Sequence, residues 1–377
     1  MYSIDSRNIK ENDIFIPLKG ENFDGHSFIP ELIKRKIKVL DVSLPDFAAH
    51  HRATKIKATV IAITGSSGKT TLKDMLHQIL SSKYKVHSTF ENQNNEVGAP
   101  LTILNAPADA DFIIVEMGMR HKGDIHFLTN IIKPDITLIT NIGVAHLELM
   151  GTQRNIALGK SEIFDFPKVK NTKHTAFLNT NIDYFELVKT KALKNGFQLN
   201  TITENDPLNS SAKLATALAL QYNFTEKEIT QIFNGLKAIS PHREQEIQWK
   251  ENIIIDDAYN ANPNSMAFSI NKTKSKYPEK KIITVLGEMK ELGKQEDRFH
   301  KELVNMIIAD TQIEKAFFYG NTYLRIEKKN DKCYYCTDKS LILKKINEIS
   351  PKNKVILFKG SRSTKMETII KELIIND

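Results

Sequence analysis

The chain is poor in cysteine and lacks long apolar runs. Two cysteines in 377 residues cannot form the disulfide framework of a small secreted protein. No stretch approaches the roughly 18 to 20 uncharged apolar residues of a membrane span. The N-terminal segment lacks a basic stretch followed by an apolar one, the pattern of a secretory leader. These absences predict a cytoplasmic protein without a membrane span.

The two cysteines and the net charge exclude further classes of protein. Cys333 and Cys336 are separated by two tyrosines and lack the second pair of ligands that a structural zinc site needs, so they are interpreted as incidental residues of a strand. The net charge of +8 comes from lysines spread along the whole chain. No basic block is interleaved with aromatic residues, as in a nucleic-acid groove, and no nucleic-acid partner is expected.

What the chain does contain indicates an α/β protein of several parts. Its length exceeds the roughly 100 to 200 residues of an ordinary domain. Residues 1–57, with short apolar runs, predict a small N-terminal unit. From residue 58 apolar strands alternate with helical periodicity, which predicts a parallel sheet covered by helices, and a second such set begins at residue 244. We therefore expect domains over 1–57, 58–243 and 244–377.

The predicted strands indicate where a ligand would bind. Ligands of open parallel sheets bind at the carboxyl ends of the strands. Three C-terminal strands are followed there by Gly287, Gly320 and Gly360, so this part is expected to have a ligand-facing edge of its own. In the central part, the apolar residues of 72–80 recur at helical spacing. The predicted strands cover residues 59–64, 112–115, 136–140, 253–255, 281–286, 315–319 and 354–358.

The strongest motif is a β-branched strand that runs into a glycine-containing loop and then a helix, over residues 60–71. In such a loop the backbone N–H groups hold phosphate oxygens, a lysine neutralises the outer phosphates and a hydroxyl binds magnesium. Lys69 and Thr70 are predicted for the last two roles. The other loop residues expected at the nucleotide are Gly65, Ser66, Ser67, Gly68 and Thr71.

This loop departs from the general pattern G-x-x-x-x-G-K-[ST]. Ile63 stands where the first glycine is expected, and Gly65 lies inside the loop. The alternative interpretation is a strand, turn and helix with a chance Gly-Lys-Thr. The strand before the loop and the amphipathic helix after it favour nucleotide binding.

The loop resembles that of the Mur ligase family, which includes the folylpolyglutamate synthases. Further segments resemble the branch of this family that joins D-alanyl-D-alanine to a UDP-linked muramyl tripeptide, and the resemblance extends from residue 4 to about residue 367. The matching segments are residues 91–100, 115–118, 141–148, 159–164, 257–263, 286–293 and 359–363.

The resemblance implies a three-part architecture and a reaction. It implies an abridged α/β unit for the UDP-linked precursor, a central P-loop ATPase domain, and a Rossmann-like α/β domain for the incoming dipeptide. ATP, with Mg²⁺, would convert the terminal carboxylate of the precursor into an acyl phosphate, which the dipeptide amine attacks. Metal and cations must meet the charge on the transferring phosphoryl group. The enzyme would serve peptidoglycan precursor synthesis and is expected to be a monomer.

The same resemblance implies catalytic residues besides Lys69. Glu116, which ends a strand beside the loop, is expected to bind Mg²⁺ together with Thr70. His146 and Lys160 would hold a second magnesium, with Lys160 either carbamylated or unmodified and in contact with phosphate. Arg243, in the segment Pro241-His242-Arg243, would reach the γ-phosphate.

Further residues are implied at the nucleotide and at the two substrates. Asp257 and Asn260 would touch the nucleotide or order the lid. The residues implied for the precursor are Ser6, Arg7, Asn94 and Asn95, and those for the dipeptide are Lys359, Ser361 and Arg362.

Three departures from the family pattern predict differences in binding. The phosphate loop comes some tens of residues early, so part of the UDP-binding unit is missing, and the segment between Asn179 and Ser211 is shortened. A helix over 214–220 is preceded by Asn209 and Lys213, where relatives place a histidine and an asparagine near adenine. Lysine cannot both donate and accept hydrogen bonds as an amide does, which predicts an altered adenine pocket.

Two other functions remain open at this point. One is a sister ligase that joins a different amino acid to a different acid. The other is a nucleotide-binding protein that has lost ligase activity.

Overall fold

The computed structural model describes residues 1–166, 173–235, 242–349 and 352–375. The chain forms two compact units, residues 1–142 with 154–236 and residues 143–153 with 237–377. Within the described ranges, no helix is long and apolar enough to cross a membrane.

The first unit begins with short elements. Strands β1, β2 and β5 form a parallel sheet, and β3 pairs with β4 in an antiparallel hairpin. A small core of Ile9, Phe15, Leu32 and Ile37 lies beneath them. The elements are β1 Tyr2–Ser3, β2 Ile14–Phe15, β3 Lys19–Gly20, β4 Phe23–Asp24, α1 Ile29–Lys34, β5 Lys38–Val39 and α2 Leu44–Thr54.

A six-stranded, wholly parallel sheet follows, in the spatial order β11-β10-β9-β6-β8-β7. Its strands are β6 Thr59–Thr64, β7 Val86–Ser88, β8 Phe112–Glu116, β9 Ile136–Ile139, β10 Thr175–Asn179 and β11 Gln198–Ile202. Its helices are α3 Lys69–Ser81, α4 Gly98–Leu104, α5 Asp124–Ile132, α7 Gln153–Lys160, α8 Phe185–Lys194, α9 Pro207–Ala219 and α10 Glu226–Asn234, while α6 Leu147–Met150 belongs to the second unit. Because β6 lies between β9 and β8 with helices on the faces of the sheet, its residues from Val60 to Thr64 are all buried.

The N-terminal elements are tied directly to this sheet. Asn105, after α4, exchanges two hydrogen bonds with the backbone of Tyr2, at 2.6 and 3.0 Å. Arg52 of α2 donates from Nε to the Ile132 carbonyl at 2.9 Å and from Nη2 to Asp135 Oδ2 at 3.0 Å. These contacts, made by groups that are mostly buried, join residues 1–57 to the central sheet as one unit.

The second unit contains another six-stranded sheet, in the order β12-β13-β17-β14-β15-β16, parallel except for the antiparallel pair β12 and β13. Its strands are β12 Gln245–Trp249, β13 Asn252–Asp257, β14 Ile282–Gly287, β15 Ile313–Tyr319, β16 Cys333–Cys336 and β17 Val355–Lys359. Its remaining helices are α11 Pro263–Lys276, α12 Glu296–Ala309, α13 Asn321–Arg325, α14 Lys339–Ile349 and α15 Glu367–Ile375. Short 3₁₀ turns cover Gly25–Phe28, Ser161–Phe164, Leu220–Tyr222, Gly293–Gln295 and Arg362–Thr364.

The structure confirms the predicted strands, with ends that shift by one or two residues, and it confirms the two cysteines as free residues of a strand. The predicted start of the helix at Leu214 is wrong. Helix α9 begins at Pro207, because Asp206 caps it by accepting a hydrogen bond from the Asn209 N–H at 2.8 Å. Lys213 therefore lies inside the helix, where its ammonium is 2.8 Å from Glu204.

Candidate active site

The phosphate loop joins β6 to α3, and its backbone requires glycine at one point and favours it at another. Gly65 has φ +152°, and a Cβ there would lie 1.8 Å from Thr140 Oγ1. Gly68 has φ +76° and immediately precedes α3. The turn thus brings the loop N–H groups together with a helix N-terminus, where anions bind.

Residues after β9 hold this loop from the side. Asn141 Oδ1 accepts hydrogen bonds from the N–H groups of Ser66 and Ser67 at 3.1 and 3.0 Å, and its Nδ2 donates to Ser67 Oγ at 2.7 Å. Thr140 Oγ1 donates to the Ser67 carbonyl at 2.5 Å. Sequence reasoning did not assign Asn141 a role, although the segment 141–148 belongs to the resemblance. Its amide oxygen accepts hydrogen bonds from the same N–H groups that a bound phosphate would use.

Lys69 and Thr70 occupy the first turn of α3, and Thr71 follows them. Lys69 Nζ donates to the Gly65 carbonyl at 2.8 Å, so the side chain folds back over the loop. Thr70 is nearly inaccessible to water, and its hydroxyl points at a strand end instead of at solvent.

That strand end carries Glu116, a carboxylate that is 1% exposed. Its Oε2 accepts a hydrogen bond from Thr70 Oγ1 at 2.8 Å, and its Oε1 accepts one from Asn94 Nδ2 at 2.7 Å. The strand order β6-β8-β7 places the three residues side by side. The structure thus brings together two predicted metal ligands and one residue that was predicted to bind the precursor.

These groups fit a magnesium ion. A hydroxyl and a carboxylate are hard oxygen donors, and Mg²⁺ usually takes one or two protein oxygens and completes its shell with water and phosphate. No group of three histidine, cysteine, aspartate or glutamate side chains in the described ranges could hold a metal by itself. A cation at Glu116 would therefore complete its shell with oxygens of water or of a phosphate.

Lys160 ends α7, and its side chain is buried, with 1% exposed. Burial, and then the charge of Lys69, lowers the pKa of its ammonium well below the usual value. Removing a lysine from water without an opposite charge is unfavourable. The side chain is therefore suited to an anion, or to chemistry of the neutral amine.

His146 and Arg243 belong to the second unit. His146 Nδ1 lies 2.5 Å from Glu291 Oε2. The Arg243 guanidinium carbon lies 4.1 Å above the ring of Tyr259, and its buried Nε has no hydrogen-bond partner among the residues described. The stacking holds the guanidinium while leaving donors for an anion. Pro241, which opens this motif, lies outside the described residues.

Asp257, Asn260 and Lys359 meet at the carboxyl ends of β13 and β17. Lys359 Nζ lies 2.6 Å from Asp257 Oδ2 and donates to the Asn260 carbonyl at 3.1 Å. Both charged side chains are buried. The charge of Lys359 is thus already paired, which the sequence did not predict.

The other residues predicted for the dipeptide follow β17. Ser361 Oγ accepts a hydrogen bond from the Lys290 N–H at 2.9 Å. The side chain of Arg362 is 52% exposed, and its Nη1 donates to Glu367 Oε1 at 2.7 Å. Arg362 therefore presents the more accessible cation of this segment.

The residues predicted for the precursor lie apart in the first unit. Arg7 is exposed, and its guanidinium binds Asp5, which lowers the pKa of that carboxyl to about 2. Ser6 lies between these two residues in the same loop. Asn95 Oδ1 accepts from the backbone N–H groups of Val97 and Gly98 and so orders the start of α4.

Comparison with known proteins agrees with this geometry. Residues 63–250 match the Mur ligase middle domain, residues 242–362 the Mur ligase glutamate ligase domain, and residues 1–84 the Mur ligase family catalytic domain. The chain is 33% identical to UDP-N-acetylmuramoyl-tripeptide–D-alanyl-D-alanine ligase of Bacillus subtilis (strain 168), over 98% of this chain and 92% of the relative.

Two solved structures extend the comparison. MurF from Acinetobacter baumannii superimposes with a TM-score of 0.88 at 26% identity, over 99% of this chain and 93% of that one. MurF ligase from Thermotoga maritima in complex with ADP gives 0.83 at 25% identity, over 100% and 98%. With its phosphate loop, buried Glu116 and paired α/β sheets, the chain belongs to the Mur ligase family, in the MurF branch.

Proposed function

We propose that this chain is the ATP-dependent ligase that joins D-alanyl-D-alanine to UDP-N-acetylmuramoyl-tripeptide in peptidoglycan precursor synthesis. The observation that carries the proposal is the contact of Glu116 with Thr70 beside the phosphate loop, in a chain whose relatives are named for this reaction. ATP would supply the phosphoryl group that turns a carboxylate into an acyl phosphate.

The site residues of the first unit each have a part in this step. The loop N–H groups and Lys69 would hold the phosphates. Asn141 would give up its hydrogen bonds with the N–H groups of Ser66 and Ser67 when phosphate binds. Thr70 and Glu116 would hold Mg²⁺, which neutralises phosphate charge when bound. Lys160, either carbamylated or as a free amine, would face the transferring group.

The second unit would complete the reaction. Arg243, stacked on Tyr259, would direct its fork at the γ-phosphate, and His146 would serve a second cation. Asp257 and Asn260 are proposed near the nucleotide. Closure around the acyl phosphate would exclude water, which otherwise hydrolyses it.

The three predicted domains carry separate substrates in this proposal. Residues 1–57, with Ser6 and Arg7, would bind the UDP-linked precursor, 58–243 would bind ATP, and 244–377 would bind the dipeptide. Arg362 is the proposed carboxylate receptor, and Ser361 and Lys359 would shape the site around it. We further propose a cytoplasmic location, since the reaction consumes ATP, and a monomeric state.

A ligase assay analysed by mass tests the proposal. Purified chain with ATP, Mg²⁺, UDP-N-acetylmuramoyl-tripeptide and D-alanyl-D-alanine should yield the UDP-linked pentapeptide. Product formation from another acid and amine alone would favour a sister ligase. Nucleotide binding without any product over a panel of acids and amines would favour a homologue without ligase activity.

A further inference from the structure

Asn94 has a position that its predicted role does not explain. It lies in the loop between β7 and α4, in a segment that the resemblance assigns to the precursor. Yet its Nδ2 donates to Glu116 Oε1 at 2.7 Å, and its carbonyl accepts from the Gly118 N–H at 2.7 Å. The side chain and the backbone are both tied to the end of β8.

The contact divides the two oxygens of Glu116 between two partners. Oε1 is held by the Asn94 amide, and Oε2 is shared with the Thr70 hydroxyl. Both partners are neutral, and among the described residues these two hydrogen bonds are the ones that the Glu116 carboxylate accepts. The carboxylate is thus oriented while its negative charge is left for a cation.

An amide suits this task better than a cation would. A lysine or arginine at position 94 would orient Glu116 but also neutralise it. Groups that hydrogen-bond to a metal-binding side chain fix its orientation, and losing one typically costs 10- to 100-fold in metal affinity. We propose that Asn94 is a positioning residue that orients Glu116 for Mg²⁺, and that the loop from residue 91 to 97 is thereby anchored to the cation site.

Gly118 provides an independent way to disturb the contact. A Cβ on Gly118 would lie 2.6 Å from Asn94 Oδ1 and 3.0 Å from its Cγ. Its φ lies outside the left-handed region, so alanine meets no backbone strain there. Gly118→Ala must therefore move the Asn94 side chain while leaving Asn94 itself in the chain.

The inference rests on the proposed use of Glu116 as a magnesium ligand, and its test needs neither precursor nor dipeptide. ADP binding to the full chain is measured by calorimetry as Mg²⁺ is varied. We expect Asn94→Ala to raise the Mg²⁺ concentration for half-maximal tightening of ADP binding about tenfold. Affinity for ADP without Mg²⁺ should stay within about twofold of the wild type, because the loop N–H groups are untouched.

Two further variants make the result specific. Gly118→Ala should reproduce the shift, and Gly118→Ala combined with Asn94→Ala should add nothing to Asn94→Ala, as expected for two changes that break one contact. Gln93→Ala, which removes an exposed amide from the same loop, should leave the Mg²⁺ requirement unchanged. Thermal unfolding of each variant checks that the fold is retained.

Three results would overturn the inference. One is a wild-type Mg²⁺ requirement in Asn94→Ala, whether or not precursor affinity falls. Another is additive shifts from Asn94→Ala and Gly118→Ala. The third is ADP binding by the wild type that does not depend on Mg²⁺, because this result would show that the proposed cation site is absent. Failure of the proposed function would give a different result. Asn94→Ala would still shift the Mg²⁺ requirement, but the wild type would make no pentapeptide.

Discussion

At the scale of single residues, the site depends on charges that are held out of water. Glu116 and Lys160 are both almost inaccessible. The sequence could indicate both, because each lies in a segment that resembles the family. It could not indicate that Asn94 would contact Glu116 or that Lys359 would pair with Asp257. Those contacts depend on which strands become neighbours, which local periodicity does not encode.

Lys160→Met is expected to stabilise the nucleotide-free protein near neutral pH and to abolish synthesis. Because burial and Lys69 lower the pKa of Lys160, the unfolded chain binds this proton at pH values where the folded chain has lost it. The free energy of unfolding should therefore rise with pH from the folded pKa of Lys160 up to about 10.4, the value of a free lysine. Urea denaturation at pH 7.5 and 9.5 should show this rise in the wild type and a smaller one in the variant.

The opposite result would contradict the lowered pKa of the buried Lys160 side chain. It would be a variant that is less stable than the wild type and keeps the same dependence on pH.

Lys359 and Arg362 should respond differently to substitution. Lys359→Met leaves Asp257 buried without its partner, and we expect a loss of about 3 to 5 kcal/mol in the free energy of unfolding. Arg362→Ala removes a half-exposed cation from the buried carboxylate of Glu367 and should cost less, about 1 to 2 kcal/mol, while it raises KM for the dipeptide. Denaturation and steady-state kinetics measure the two effects. Equal losses of stability, or an unchanged KM in Arg362→Ala, would refute this division.

At the scale of elements, the long strands and the phosphate loop were predictable and the short elements were not. Runs such as 59–64 are β-branched and buried on both faces, so their type and length follow from composition. The N-terminal strands have only two residues each, too few for any periodicity. The start of α9 was predicted late, because apolar spacing begins at Leu214 whereas the cap at Asp206 sets the boundary.

Alanine substitutions at the two glycines of the phosphate loop should differ in their effect on nucleotide binding. Gly65→Ala places a Cβ against Thr140 Oγ1 and must displace the loop, so nucleotide binding should be lost. At Gly68 the nearest atom would be 3.6 Å away, and the cost is the positive φ, about 1 kcal/mol. Calorimetric titration with ADP should give no binding for Gly65→Ala and weakened binding for Gly68→Ala. Equal affinities in both variants would show that the loop conformation described here is wrong.

At the scale of the whole molecule, the N-terminal segment depends on the central sheet. Arg52 is the main polar link, because it reaches Ile132, Lys133 and Asp135. Arg52→Ala removes the hydrogen bonds to the Ile132 and Lys133 carbonyls, while Asp135 keeps the one from the Val60 N–H, and it should lower the free energy of unfolding by about 2 kcal/mol. Hydrogen exchange should accelerate in α2 while β6 stays protected. Unchanged exchange in α2 would mean that apolar packing alone holds the segment.

The family and its three-part architecture could be predicted from ordered motifs, because most of the motifs follow strand ends, where chemistry constrains the residues. The assignment of segment 143–153 to the second unit could not be predicted from the sequence. That segment follows β9 directly in sequence, yet His146 contacts Glu291 and the Glu148 N–H donates to the Glu291 carbonyl at 3.1 Å. Contacts so distant in sequence require the folded chain.

The central claim is that residues 64–71 hold ATP so that its last phosphoryl group moves onto an acid. Its most direct test is phosphate release by wild type and Lys69→Ala, with ATP and Mg²⁺, in the presence of both substrates and of each alone. We predict rapid release only with both substrates, and release at least about 100-fold slower in Lys69→Ala because an outer phosphate loses its cation. Phosphate release that does not depend on the two substrates, or that continues at the full rate in Lys69→Ala, would contradict this claim.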